Sequence, residues 1–407
     1  MGFQSTIEPS GFWSPKEFEQ FLVEASDAKA SDIVMVPANP FWVRQHGVWF
    51  RASRRPLSDT EIQSMVNHLA RRNTAAGETL GGKDLDFPAE IRVGRVETRR
   101  FRVNVTACQA GGSTGISVVL RTIPGAPPGL DQMDIEPALM GALIPQNGLV
   151  LVTGTTGSGK STLLAAVLAH IRRTYPWHLI TYEHPIEFNL SDIPEALGPC
   201  VQSEIPFHIK EFRLVGRNAN RRAPDVALIG ESRDPETFKG VMELADSGPR
   251  VYTTGHTRSV EETPSRIVAA FPPEEQPFRA ALLFAALRLI IHQRLLPKKG
   301  GGRVPIRSFL VIDQFVRDQV YRLPVSQATP VLRQMVAERG QTLLASAQSA
   351  FERGLIEEAE VEQIRREFEA AAASEVVESG LDPLPAPPAE EQAPAEVVRS
   401  NVPRETV

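Results

Sequence analysis

Cysteine is scarce in this sequence: 407 residues contain only Cys108 and Cys200. Two thiols so far apart support neither a disulfide framework nor a thiolate zinc site, and they fit a reducing compartment. Positive charge is not in excess, since the net charge is −5, and aromatic residues make up only 7%. Proteins that grip nucleic acid usually carry a basic face interleaved with stacking aromatics, so no stable nucleic-acid binding is expected. Long apolar runs are missing too. The best candidate, AALLFAALRLII (Ala280–Ile291), falls short of the roughly 20 residues that a membrane-spanning helix needs and carries Arg288. It reads as a buried helix, and any membrane role then comes through partners. The opening MGFQSTIEPSGFW has neither the basic start nor the apolar core of a secretory signal, so a cytoplasmic protein is expected.

What is present is enough apolar residue, 42%, to build two or three cores in a chain of this length. Residues 1–121 mix helical and strand patterns. SPKEFEQFLVEA and SDTEIQSMVNHLARR have helical spacing behind Ser or Asp caps, whereas DIVMVP, FWVRQHGVWF, RRFRVNVTA and GISVVLRTI read as strands. That predicts an α+β domain, with no catalytic motif inside it. The proline- and glycine-rich PGAPPGLDQMD marks residues 122–134 as a linker. Over 135–323 the pattern becomes short apolar runs, GLVLVTG, HLITYE, DVALIGE and RVYTTGH, separated by helical segments. Such runs are strands buried on both faces of a parallel sheet, which predicts an α/β domain. GGGRVPIRSFLVID reads as a later strand pair. Helices are expected over 324–373, and a disordered tail rich in Pro, Ala and Glu over 374–407.

The most specific signal is GTTGSGKST, Gly154–Thr162, which follows a strand and opens a helix and satisfies G-x-x-x-x-G-K-[ST]. Glycines let backbone N–H groups wrap phosphates, and the helix N-terminus favours the anion. Thr155, Thr156, Gly157, Ser158, Gly159, Lys160, Ser161 and Thr162 are therefore candidate nucleotide-binding residues. Lys160 would reach the β- and γ-phosphates, and the Ser161 hydroxyl would coordinate Mg²⁺, making ATP and Mg²⁺ the expected ligands.

A guanine-reading N-K-x-D is missing, which argues against a GTPase. The apolar strand Val226–Ile229 ends at Gly230-Glu231, placing a carboxylate at the sheet edge to hold Mg²⁺ or its waters. In ITYEHPIEF, Ile180–Phe188, Glu183 ends another apolar run and competes with Glu231 for the role of water-activating carboxylate. A third strand, VYTTGH, ends in His256. Three polar strand ends around one phosphate loop point to the carboxyl edge of one sheet, where open α/β folds bind ligands.

Together GTTGSGKST, ITYEHPIEF, RRAPDVALIGESRDPET and TTGHT resemble the Walker A, Asp box, Walker B and His box of the secretion-ATPase superfamily. That superfamily holds pilus-retraction motors and the ATPases of type II and type IV secretion. The likeness reaches back through SDIVMVPANPFWVRQHGVWF and RRFRVNVTA, covering residues 30–325, and VAERGQTLLASAQSAFERGLI is most similar to the Dot/Icm and plasmid-transfer branch. It implies a RecA-like P-loop domain behind a PAS-like domain, a homohexamer, and docking to the inner-membrane components of a secretion or conjugation apparatus. It also implies roles: Glu183 as catalytic carboxylate, Glu231 as the Mg²⁺-associated acid and His256 as the His-box residue. Arg102, Arg121, Arg221 and Arg233 match family arginines, whose planar charged forks suit a transferred phosphoryl group.

Three departures stand out. His184 occupies the place where the Asp box usually carries a second acid, Gly248-Pro249 replaces a Gly-His before the His box, and zinc-binding cysteines of the type II enzymes are missing. The first predicts turnover sensitive to pH near neutrality; the last argues against the type II branch. A pilus-retraction motor, a RecA-type nucleic-acid motor and a non-hydrolysing ring remain alternatives to a motor for type IV secretion.

Overall fold

The computed structural model describes residues 3–379, apart from 10, 46, 95, 96, 124, 321 and 322 and the side chains of 325, 326 and 371–379. Its first half is built on an antiparallel sheet of six strands: β1 (Asp32–Met35), β2 (Trp42–Gln45), β3 (Val48–Arg51), β4 (Leu85–Val93), β5 (Glu97–Ala110) and β6 (Ser113–Ile123), in the order β3-β2-β1-β6-β5-β4. Two capping boxes start the covering helices: Ser14 with Glu17 opens Pro15–Asp27, and Ser58 with Glu61 opens Asp59–Leu69. Strict alternation in β5 sends Phe101, Val103 and Val105 into the core with those helices and turns Arg100, Arg102 and Asn104 to the other face.

FWVRQHGVWF was expected to be one strand and is instead the hairpin β2–β3, with Gly47 at φ +84° in its turn. LDFPAEIRV gives no strand signal because of Pro88, yet it forms β4. The proline is tolerated because β4 is a sheet edge, where a missing N–H breaks no ladder on its outer side.

The second half carries a seven-stranded sheet: β7 (Gly148–Thr153), β8 (Leu179–Glu183), β9 (Cys200–Glu204), β10 (Val226–Ile229), β11 (Arg250–Gly255), β12 (Leu287–Pro297) and β13 (Arg303–Val311). The order is β13-β12-β7-β11-β10-β8-β9, parallel except for the β12–β13 pair, so the expected mostly parallel, RecA-like sheet is present. Helices cover both faces, as the two-sided burial of β7 requires. Leu149 and Leu151 pack with helices Pro235–Asp246 and Gln276–Ala286, whereas Val150 and Val152 pack with Lys160–Thr174.

AALLFAALRLII, expected as one helix, is helical only to Ala286 and continues as β12. Apolar composition on both sides of Leu287 hides the switch, because a short continuous apolar run suits a buried helix and a buried strand alike. GGGRVPIRSFLVID is the single strand β13 rather than a pair, its partner being β12. The last helix, Glu358–Ser379, runs past the tail boundary expected at 373, and residues 380–407 lie outside the described residues.

Candidate active site

Four neighbouring strands, β7, β11, β10 and β8, end on the same side of the sheet, and each delivers polar groups to one cleft. The cleft is about 250 Å³ in volume, and its opposite wall comes from the antiparallel sheet.

β7 leads into the phosphate loop. Gly154, Gly157 and Gly159 have φ of +140°, +79° and +84°, backbone that other residues adopt only under strain. Gly159 caps the helix Lys160–Thr174 in the left-handed conformation, which points the first helical N–H groups at the cleft. The Lys160 ammonium donates to the carbonyls of Gly154 (2.8 Å) and Thr155 (2.9 Å). Burial pushes it below its ordinary pKa, opposed by the carboxylates of Glu231 and Glu187. Thr156, Gly157, Lys160 and Ser161 line the cleft; Thr155, Ser158, Gly159 and Thr162 lie in the loop and helix start without lining it. The buried Ser158 hydroxyl has no hydrogen-bond partner among the described residues.

Glu183 ends β8 and is only 8% exposed. Burial pushes its carboxyl up to about 7, although Thr181 and Gln202 donate to Oε1 at 2.6 and 3.2 Å. A carboxyl poised near neutrality and facing the cleft suits a general base. Glu231, just beyond β10, behaves in the opposite way. Burial would raise it, but the Arg233 and His256 hydrogen bonds outweigh burial and hold it below the usual carboxylate range. His256 Nε2 lies 2.6 Å from Glu231 Oε1, and the Arg233 guanidinium pairs with the same oxygen. The two competing acids thus separate into one that holds a proton near neutrality and one that stays ionised.

The facing wall supplies Arg102 of β5 and Arg121 of β6, which are direct cross-strand partners. Like charges in that position repel. Asp86 relieves the repulsion by accepting from Arg102 at 3.2 and 2.6 Å, and Asp32 by accepting from Arg121 at 3.1 Å. Two arginines side by side at a phosphate-loop cleft make a ready anion site.

His184 and Glu187 also line the cleft, and His184 Nδ1 donates to the Ile205 carbonyl at 2.6 Å. Arg221 does not join the others. It is exposed at the end of helix Val215–Asn220, before β10 begins, away from the strand's cleft end. Sequence reasoning missed Thr181, Gln202, Asp86 and Asp32, which hold the cleft side chains in place. Thr181 alone carried a signal, a polar residue inside the apolar run leading to Glu183.

A strand–loop–helix phosphate cradle at the carboxyl edge of a parallel sheet, with one proton-holding and one ionised glutamate beside it, defines a P-loop ATP hydrolase. Within that class, residues 16–372 match the family described as type II/IV secretion system protein, and the chain belongs to it. The ATPase DotB of Legionella pneumophila is 37% identical, with a TM-score of 0.79 over 88% of this chain and 97% of that one. The pilus retraction motor PilT with bound ADP is 30% identical, with a TM-score of 0.73 over 85% and 96%. The type IV pilus retraction ATPase PilT of Pseudomonas aeruginosa is 30% identical over 84% of this chain and 95% of its own length. No helix among the described residues is long and apolar enough to cross a membrane.

Proposed function

We propose that this protein is a Mg²⁺-dependent ATPase motor that works as a homohexamer on the inner-membrane face of a type IV secretion or conjugative-transfer apparatus. The observation that carries the ATPase reading is the convergence of four parallel strand ends on one cleft closed by Arg102 and Arg121 from the other sheet. The preference for transfer over pilus retraction rests on the TM-scores with DotB of Legionella pneumophila and of Yersinia pseudotuberculosis, 0.79 and 0.78, against 0.73 with PilT.

In the proposed reaction, Lys160 exchanges its two loop carbonyls for the β- and γ-phosphates. Glu183 accepts a proton from the water whose oxygen bonds to the γ-phosphorus. The bond from that phosphorus to the β,γ-bridging oxygen breaks, and ADP takes the electron pair. Arg102 and Arg121 spread positive charge over the transferred phosphoryl oxygens.

No cluster of three acidic, His or Cys side chains capable of binding a metal exists among the described residues. One hydroxyl, Ser161, and one carboxylate, Glu231, at the cleft fit an ion that draws its remaining ligands from phosphates and water, as Mg²⁺ does. Bound there, Mg²⁺ would neutralise phosphate charge. Within this reading the antiparallel unit (1–121) and the ATPase unit (135–323) move as bodies about residues 122–134, and that movement is passed to the apparatus.

Phosphate release by the wild type and by Lys160→Ala tests the chemistry: the variant should lose turnover by a factor of about 10² or more. Equal rates would remove the site. Complementation of strains lacking DotB or PilT tests the machine served, and rescue of twitching alone would replace the transfer reading with pilus retraction.

A further inference from the structure

Behind the phosphate loop stands a side chain outside all four motifs. Gln293 of β12 is fully buried, and its Nε2 donates to the Ser158 carbonyl at 2.7 Å. The loop is built close against it. A Cβ on Gly154 would lie 2.3 Å from the Gln293 carbonyl oxygen, and one on Gly159 would lie 2.9 Å from Nε2.

Gln293 pairs in register with Arg307 of β13, whose Nε donates to Gln293 Oε1 at 2.8 Å. Arg307 is fully buried, and its other donors leave the sheet. Nη1 reaches the Asp134 carbonyl (2.8 Å) and the Glu136 carboxylate (3.1 Å), and Nη2 reaches the Met133 carbonyl (2.8 Å). Residues 133–136 are where the chain, coming from the antiparallel sheet, joins the ATPase unit. The C-terminal helices grip the same stretch, with Arg353 holding both carboxylate oxygens of Asp134 at 2.7 and 2.8 Å.

We propose that Gln293 and Arg307 are positioning residues for ATP hydrolysis, coupling the place of segment 133–136 to the geometry of the phosphate loop through the Ser158 carbonyl. A planar guanidinium fixes its donors in one fork, so a shift of 133–136 cannot leave all of its bonds intact. The pull passes through one amide to the loop. Filling this space needs no such chain, since apolar side chains of similar volume commonly replace buried ion pairs without loss of stability. The chain offers every donor nitrogen of the two side chains a partner and puts the connection between the two units one residue pair away from the nucleotide cradle.

The proposal rests on this cleft being the ATP site, and Lys160→Ala separates the two: if that variant binds a fluorescent ADP analogue like the wild type, the site reading fails, whatever Gln293 does. The test uses the full chain. Gln293→Glu keeps size and the Arg307 partner but replaces the donor facing Ser158 with an acceptor. Arg307→Lys keeps charge but loses the fork, leaving the Gln293 amide on the loop. Gln293→Glu should weaken binding of the ADP analogue by about tenfold or more. In the wild type, ADP should change the hydrogen exchange of amides 130–136. At saturating ADP that change should be lost in Arg307→Lys, and should persist in Arg353→Lys, which touches the same segment but neither Gln293 nor Arg307. Wild-type affinity in Gln293→Glu, no exchange change in the wild type, or an undiminished change in Arg307→Lys would each overturn the coupling. Should Gln293→Glu fold poorly, the exchange readout in Arg307→Lys decides alone.

Discussion

Glu183 and Glu231 are the same amino acid at matching ends of neighbouring strands, and their surroundings drive them apart. Glu231 has an arginine and a histidine as partners; Glu183 has one hydroxyl and one side-chain amide against nearly complete burial. The carboxyl of Glu183 therefore sits near 7 where 4.5 is ordinary, and burial is the main cause. As the base, Glu183 must be ionised, so hydrolysis should rise as pH climbs through about 7. Stability runs the other way. The fold favours the protonated carboxyl, so its contribution is fully present below 4.5 and is lost as pH rises through about 7. At about 1.36 kcal/mol per pH unit, the displacement is worth on the order of 3 kcal/mol as an upper figure. Glu183→Gln carries no charge to bury. It should lose turnover by about 10²–10⁴ yet resist urea better than the wild type at pH 8, the gap closing near pH 5. A variant equally sensitive to urea at pH 8 would mean that the carboxylate is better solvated than its surroundings indicate.

Among the elements, the phosphate loop shows how a backbone requirement becomes a residue requirement. Gly157 (φ +79°) faces open space, whereas Gly154 (φ +140°) abuts the Gln293 carbonyl. Gly157→Ala should cost only the strain of the backbone conformation, about 1 kcal/mol in urea denaturation, and Gly154→Ala distinctly more, because backbone must move. Equal costs would show that the loop gives way. That loop was fully legible in the sequence, since its glycines and lysine work locally. Four of the parallel strands, β7, β8, β10 and β11, were legible too, each being an apolar run buried along its length, and so were Glu183, Glu231 and His256 at or just past their ends. β4 escaped because Pro88 speaks against a strand unless the edge position is known, and β9 escaped because Gln202, Ser203 and Glu204 break its apolar pattern. The helix-to-strand switch at Leu287 left no mark in composition. Gln293 and Arg307 were invisible as a pair, since only the β12–β13 register and the return of residues 133–136 bring their partners together. Polar His292 and Gln293 inside LRLIIHQRLLP were the one hint.

At the scale of the whole molecule, the cleft belongs to neither sheet alone. The ATPase sheet supplies the cradle and both acids, but its own cleft-facing arginine, Arg233, is engaged with Glu231. The arginines on the facing wall come from β5 and β6, fixed as neighbours by a register in which Arg102 opposes Arg121. As a structural ion pair Arg102–Asp86 achieves little, its side chains being 38% and 32% accessible, whereas Arg121 also covers the nearly buried Asp32. As the proposed charge donors to a phosphoryl group held by the other sheet, the two arginines would make hydrolysis depend on how the two units sit, as a motor requires. Arg102→Ala should therefore lower kcat by about 10³ or more, in the manner of an arginine finger, while leaving the thermal midpoint and the affinity for ADP nearly unchanged, and Arg121→Ala should lower kcat likewise. Steady-state hydrolysis beside ADP titration and thermal unfolding reads all three quantities. If kcat holds while the melting temperature falls, the arginines serve the antiparallel sheet through Asp86 and Asp32, and the chemistry belongs to the ATPase sheet alone.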